Sequence, residues 1–341
     1  MNRQFLFLSA ALVCCALFAC KSAPARVPSP VDEEYQRLEA AARNAHSRGE
    51  LSYAADLYSD LLTEAERTDD PSKIGDSCYN LAVCRLAQGE WDPAREMLVL
   101  AEHELLRAGE PLAQVFIARA RLELLAGDPQ ACGLAADAAI TQQASRPSAN
   151  ELSAAYVLTG LAALKLERVD RAEAALAKAK GASQDPAALP SILRLSARIA
   201  ASRADWKGAA ARYDLEADTN RKLSSYDAMA LSLELAGDAW QAAGDAQQAG
   251  DRWLRAARAR FAQAVRRDSP PPRALEQLKT AAQLCQRLDD EQRLAADPVL
   301  RARVRNLVER MEAERVRLQG YLLDAQAARG LPSPPTVNSE Q

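Results

Sequence analysis

Aromatic side chains make up only 5% of this 341-residue chain, although 48% of its residues are hydrophobic. A core with so few rings has to be filled by small side chains, above all alanine, which disfavours a β-sandwich and favours closely packed helices. Histidine is rarer still. His46 and His103 are the only two, with no acid cluster between them, so the sequence offers no convergent nucleophile, base and stabiliser. Neither a CxxC nor an HExxH pattern occurs, and the glycines stand singly rather than in a phosphate-cradling loop. No enzymatic activity, cofactor or metal is expected. The formal net charge of -3 shows no excess of cations, so no nucleic-acid partner is expected either.

What is present starts with a short apolar run. In "MNRQFLFLSAALVCCALFAC" the basic Arg3 precedes a run from Phe5 to Ala19 that is too short to span a bilayer comfortably, and residues 1–19 read as a secretory signal peptide. Its end, "LFAC" from Leu17 to Cys20, resembles the lipobox of bacterial lipoproteins, with leucine at minus three, alanine at minus one and cysteine at plus one. The resemblance implies acylation of Cys20 and a stable anchor, because several acyl chains together hold a protein where one is marginal. Lys21 follows in place of the aspartate that marks inner-membrane retention in some Gram-negative bacteria. The implied location is therefore the outer membrane, lipid-anchored and facing the periplasm. The alternative is a plain cleaved signal with incidental cysteines. Residues 20–33, "CKSAPARVPSPVDE", are broken by proline, have no apolar period and read as a flexible tether.

Beyond the tether the chain repeats itself. Gly89-Glu90 recurs as Gly49-Glu50, Gly127-Asp128 and Gly244-Asp245, with degenerate copies at Glu167-Arg168 and Ala204-Asp205, in steps of 40, 38, 40, 37 and 40 residues. Seven residues before each turn stands a residue with almost no side chain: Ala42, Ala82, Ala120, Gly160, Ala197, Gly237. Five after it comes another: Ala54, Ala94, Cys132, Ala172, Ala209, Ala249. Nine after it the residue is usually large, as in Tyr58, Leu98, Leu176, Tyr213 and Trp253, and twelve after it is small in four of six copies, Glu216 being one exception. Antiparallel helices approach closely only where one backbone meets a residue without bulk.

This pattern resembles the tetratricopeptide repeat, best in the second copy, where Leu81-Ala82 is followed by Gly89-Glu90-Trp91, Ala94, Leu98 and Ala101. The tyrosine of the family's first helix is replaced here by Arg85 or Ala163. The copies exceed the usual length, and Pro71, Pro111, Pro147 and Pro186 fall 19 to 22 residues after their turns, which predicts second helices about one turn longer than usual. The expected fold is all-α: a right-handed α-solenoid of about six tetratricopeptide-like helix-turn-helix repeats over residues 34–268, then C-terminal capping helices over 273–329 and a disordered tail over 330–341. The break is "RRDSPPPRA", whose three prolines forbid a continuous helix. In the last helix Leu300, Val304, Leu307, Val308, Met311, Leu318 and Leu322 form one stripe, which would close the end of the core or, alternatively, dock on a partner helix.

Cys78, Cys84, Cys132 and Cys285 read as buried thiols, the alternative being a bridge such as Cys84 to Cys132. What remains for function is a surface. In the family the first helices line a concave groove, and the matching positions here are Arg43 and His46; Tyr79, Val83 and Leu86; Ile117, Arg121 and Leu124; Val157, Leu161 and Leu164; Arg194 and Arg198; and Glu234 and Asp238. The middle copies are apolar with flanking charge, which suits an extended or helical apolar segment of another protein, unless the longer helices bury these residues. The resemblance implies a membrane-anchored scaffold for other envelope proteins or peptide segments, as in tetratricopeptide lipoproteins that assist assembly or secretion complexes. A small-ligand-binding or enzymatic use of the groove and a structural, peptidoglycan-associated role are the alternatives.

Overall fold

Alanine-rich segments separated by single glycines and Asp-Pro steps fold as successive helix pairs. The computed structural model describes residues 30–142, 146–266, 271–290 and 298–328. Cys20, the proposed signal and tether up to residue 29, and the tail lie outside the described residues. Six pairs form the body: α1 (Pro30–Arg48) with α2 (Leu51–Arg67), α3 (Pro71–Gln88) with α4 (Trp91–Ala108), α5 (Ala113–Ala126) with α6 (Pro129–Thr141), α7 (Ala149–Lys165) with α8 (Val169–Ala182), α9 (Leu189–Ser202) with α10 (Trp206–Lys222), and α11 (Tyr226–Ala242) with α12 (Ala246–Ala264). Two further helices follow, α13 (Pro271–Asp290) and α14 (Pro298–Ala328). Among the described residues there are fourteen helices and no strand, and the architecture is a right-handed α-solenoid.

One backbone device makes every intra-repeat turn. The amide two or three residues past the first helix reaches back five residues: Glu50 to the carbonyl of Ala45 (3.0 Å), Glu90 to Arg85 (2.9 Å), Asp128 to Glu123 (2.8 Å), Arg168 to Ala163 (2.8 Å), Asp205 to Ala200 (3.0 Å) and Asp245 to Trp240 (3.0 Å). Such a bond closes only if the residue before it is left-handed. Glycine supplies this at Gly49, Gly89, Gly127 and Gly244, with φ between 77° and 88°. In the two degenerate copies Glu167 (φ 57°) and Ala204 (φ 58°) adopt the same conformation with a side chain in place, at a cost of about 1 kcal/mol each. The acid that follows has a second use. Asp128, Asp205 and Asp245 accept the amides of Ala131, Gly208 and Gln248 and so cap the next helix, whereas Glu50 and Glu90, one methylene longer, make no such cap.

The small positions are where the helices touch. Ala54, Ala94, Cys132, Ala172, Ala209 and Ala249 are all 0% exposed, and Ala42, Ala82, Ala120 and Ala197 are buried with them. At the two glycine copies a Cβ would fall 2.6 Å from Leu195 Cδ2 (Gly160) and 2.4 Å from Trp253 Cδ1 (Gly237). Tyr58, Leu98, Tyr213 and Trp253 fill the remaining space, so the few large groups sit beside the smallest ones. Cys78, Cys84, Cys132 and Cys285 are free and buried, and burial pushes their thiols up to about 11, or about 12 for Cys132.

The expected lengthening of every second helix needs correction. At 17, 18, 17 and 19 residues, α2, α4, α10 and α12 are long, but α6 and α8 stop at 13 and 14. After α8 the extra residues form a turn in which Asp185 accepts from the Ala187 amide (2.9 Å) and from Asn150 Nδ2 (2.6 Å), bonds that hold its carboxyl below the usual range. Asp-Pro and Ser-Gln steps compete with the helix through such side-chain bonds. The last helix caps the solenoid internally: Val304, Leu307, Met311 and Leu318 are buried in one cluster with residues of α12 and α13, while Val308 stays exposed. The two ends of the solenoid also meet, because Arg273 at the start of α13 donates from Nη1 to the Arg48 carbonyl at 3.1 Å and from Nη2 to Asp227.

Ala204→Gly and Glu167→Gly should each raise stability by about 0.5–1 kcal/mol by removing a left-handed side-chain residue. Gly237→Ala should lower it by about 1–3 kcal/mol by driving a methyl group into Trp253. Urea midpoints with unchanged slopes check both.

Candidate functional site

Which side of the solenoid is inside follows from packing. In the middle of the chain first helices rest on one another, α3 on α5, α5 on α7 and α7 on α9, and among the described residues no packing like that of α5 on α7 joins successive second helices. The first-helix side is thus the inside of the curve. This crowding decides the fate of the expected groove residues. Ile117 and Val157 are corrected to core positions, 6% and 5% exposed, because α5, α7 and α9 close over them: Ile117 packs with Ala155 and Leu158, and Val157 with Ile192 and Leu195. Tyr79, Val83, Leu86, Leu124, Leu161 and Leu164 are half-buried, and Arg121 and Arg198 are exposed.

Between α3 and α5 the surface opens into a cleft of about 420 Å3. Tyr79, Leu105 and Val115 form its apolar part, and Asp76, Glu110, Glu151 and Arg146 its polar part. Burial pushes the Tyr79 hydroxyl up, and Asp76 is raised as well, first by burial and then by Glu110, Glu39 and Asp70. Glu151 already receives the Ser148 amide at 2.8 Å in a capping box. The charged residues of this cleft were not among the expected ones, since Asp76 and Glu151 stand near the starts of two first helices and Glu110 and Arg146 in the connections between repeats, rather than on the helix stripe.

Arg194 is a supporting residue. Its Nε and Nη2 lie 2.8 and 2.5 Å from Glu216 Oε1, and Glu216, at a position where most copies have alanine, is 1% exposed. Burial raises the Glu216 carboxyl and Arg194 pulls it back. Glu234 and Asp238 are also engaged, by Arg260 (2.7 Å) and by Trp253 Nε1 (3.0 Å) together with Arg287 (2.8 Å). On repeats five and six the inner-face charges are therefore mostly spent on holding helices together. His46 and His103 lie on different repeats, and among the described residues no group of three or more His, Cys, Asp or Glu is placed to hold a metal. No described helix is long and apolar enough to cross a membrane.

Among solved structures, BtubC (BKLC) from P. vanneervenii superposes with a TM-score of 0.50 at 20% identity, covering 64% of this chain and 94% of that one. The fold is that of the tetratricopeptide repeat. Other matches to this tetratricopeptide-like chain are pilF of Pseudomonas aeruginosa (TM-score 0.47, 19% identity, 67% of this chain and 93% of that one) and a tetratricopeptide repeat protein from Parabacteroides merdae (0.44, 12%, 82% and 99%). No family model matches the chain, and no curated protein matches it. At these identities the likeness establishes the fold and nothing further.

Glu216→Ala alone should cost about 2 kcal/mol, because it leaves the Arg194 guanidinium desolvated and unpaired, and adding Arg194→Leu should restore most of the loss. The Glu216 carboxyl is raised in the folded state, so its contribution to stability is full below the usual carboxylate range and is lost as pH rises through the folded value. Glu216→Gln should therefore gain on the wild type from acid towards neutral pH. Urea midpoints at pH 4.5 and 7.5 measure that difference.

Proposed function

We propose that this protein is a membrane-anchored interaction scaffold of the bacterial cell envelope, held by an acylated Cys20 in the outer membrane and offering its concave face to a segment of another protein. The observation that carries the interaction part is the half-buried strip of Tyr79, Val83, Leu86, Leu124 and Leu161 on consecutive first helices, flanked by exposed Arg121 and Arg198. In a chain whose pair-contact positions are mostly buried alanines, large apolar groups left partly open on the inner curve suit an extended or helical ligand that covers them. The cleft beside Tyr79 would take one anchoring side chain of that ligand. The role is non-catalytic and needs no cofactor. The anchor rests on the lipobox-like "LFAC" and on the proline-broken tether that follows it.

Two experiments address the two halves separately. Cys20→Ala should move the protein from the outer-membrane to the soluble envelope fraction, and persistence in the outer membrane overturns the anchor. A photocrosslinker at Val83 or Arg121 should capture one protein repeatedly in living cells, a crosslinker on the outer curve at Arg171 should not, and Tyr79→Ser should reduce the capture about tenfold, equivalent to roughly 1.4 kcal/mol. Equal capture from both curves overturns the groove reading.

A further inference from the structure

A second surface lies at the C-terminal end, apart from the inner curve. Between α12 and the first half of α14 runs a cleft of about 740 Å3. Its floor is apolar: Phe261 and Leu307 are buried, and Val265 and Val299 remain 40% and 59% exposed. Its walls carry cations, Arg258 on α12 and Arg303 and Arg310 on α14, all exposed. Arg310 stacks over the Phe261 ring, 4.7 Å from its centre.

The charge balance of these arginines differs from that of most others on the two helices, Arg305 outside the cleft being an exception. Their neighbours on α12 are matched, Arg252 by Asp214, Arg255 by Asp251 and Arg260 by Glu234, and on α14 Arg315 and Arg317 pair with Glu312 and Glu314. No carboxylate among the described residues pairs with Arg258, Arg303 or Arg310. The uncompensated cations thus stand on both walls of an apolar trough. A single acyl chain with one anionic head would meet cations at one end only. A helix with an apolar face and carboxylates along both flanks would meet all three. The α14 wall runs from Pro298 to Arg310, about 18 Å of helix, which matches roughly twelve residues of a docked helix. The wider field agrees: residues 251–341 hold 17 basic and 12 acidic side chains, and residues 21–250 hold 25 and 34, so an acidic segment is drawn to this end and repelled by the rest.

We infer that the α12/α14 cleft docks an acidic amphipathic helical segment of a partner protein. The probe is a fluorescent 16-residue helical peptide with a leucine face flanked on both sides by glutamate, compared with its lysine counterpart. Both are titrated against the full chain carrying Cys20→Ala, which removes the proposed acylation site. The acidic peptide should bind at least about tenfold more tightly than the lysine one, with an affinity that falls as salt rises. Arg258→Glu with Arg303→Glu should weaken it about tenfold or more, as should Val265→Ser with Val299→Ser, while Tyr79→Ser on the inner curve should leave it unchanged. Equal binding of the two peptides, retention by the charge-reversed variant, or loss in Tyr79→Ser overturns the proposal. So do two other results: self-association in sedimentation velocity that charge reversal abolishes, which makes the occupant a second copy, and binding to phosphatidylglycerol vesicles lost in the same variant, which makes it a membrane.

Discussion

The structure depends on one distance, the separation at which two helices of a pair can run past each other. Residues with little or no side chain set that separation, and six of them, one per second helix, are shut off from solvent entirely. Once the backbones are that close, only a few large side chains can be accommodated, and Tyr58, Leu98, Tyr213 and Trp253 take those places. Such a core has no centre. Each pair is held mainly by its neighbours, and stability accumulates along the chain as a sum of local interfaces. Cys132 illustrates the rule, since a thiol in an alanine slot is packed as a small hydrophobe and burial keeps it protonated.

What could be read from the sequence was whatever this distance imposes locally. The six turns and the small positions around them recur because each is decided within about twelve residues, and Glu167 and Ala204 hold their left-handed conformation without the glycine that marks the other copies. Helix length was less legible: the prolines mark where a following helix can begin, not where the preceding one stops, so the early ends of α6 and α8 were hidden. Burial on the inner curve was not legible either. Tyr79 and Val157 occupy equivalent positions, and only the spacing between successive first helices leaves one half-buried and buries the other fully. Glu216 was the visible anomaly, an acid where the repeat wants alanine, and its neighbour Arg194 is the explanation.

Electrostatics divides the solenoid unevenly. In the last two repeats and the cap, arginines and tryptophans tie the acids of one helix to the next, as Arg252 and Trp240 do with Asp214, and Arg260 with Glu234. The earlier repeats have fewer such braces on their inner face. The half-buried apolar strip on the inner curve thus lies where internal polar commitments are fewer, which suits a binding face: groups already satisfied internally would have to be released before they could serve a ligand.

The contact from Arg273 to the Arg48 carbonyl alters what kind of mechanical object this is. An open solenoid behaves as a spring, in which each repeat can tilt a little without consulting the others. Tying the first turn to the start of the cap makes it a hoop. A tilt forced on any one joint has then to be taken up by the remaining joints or released at the tie, so a ligand that spreads the inner curve would be felt across all six repeats.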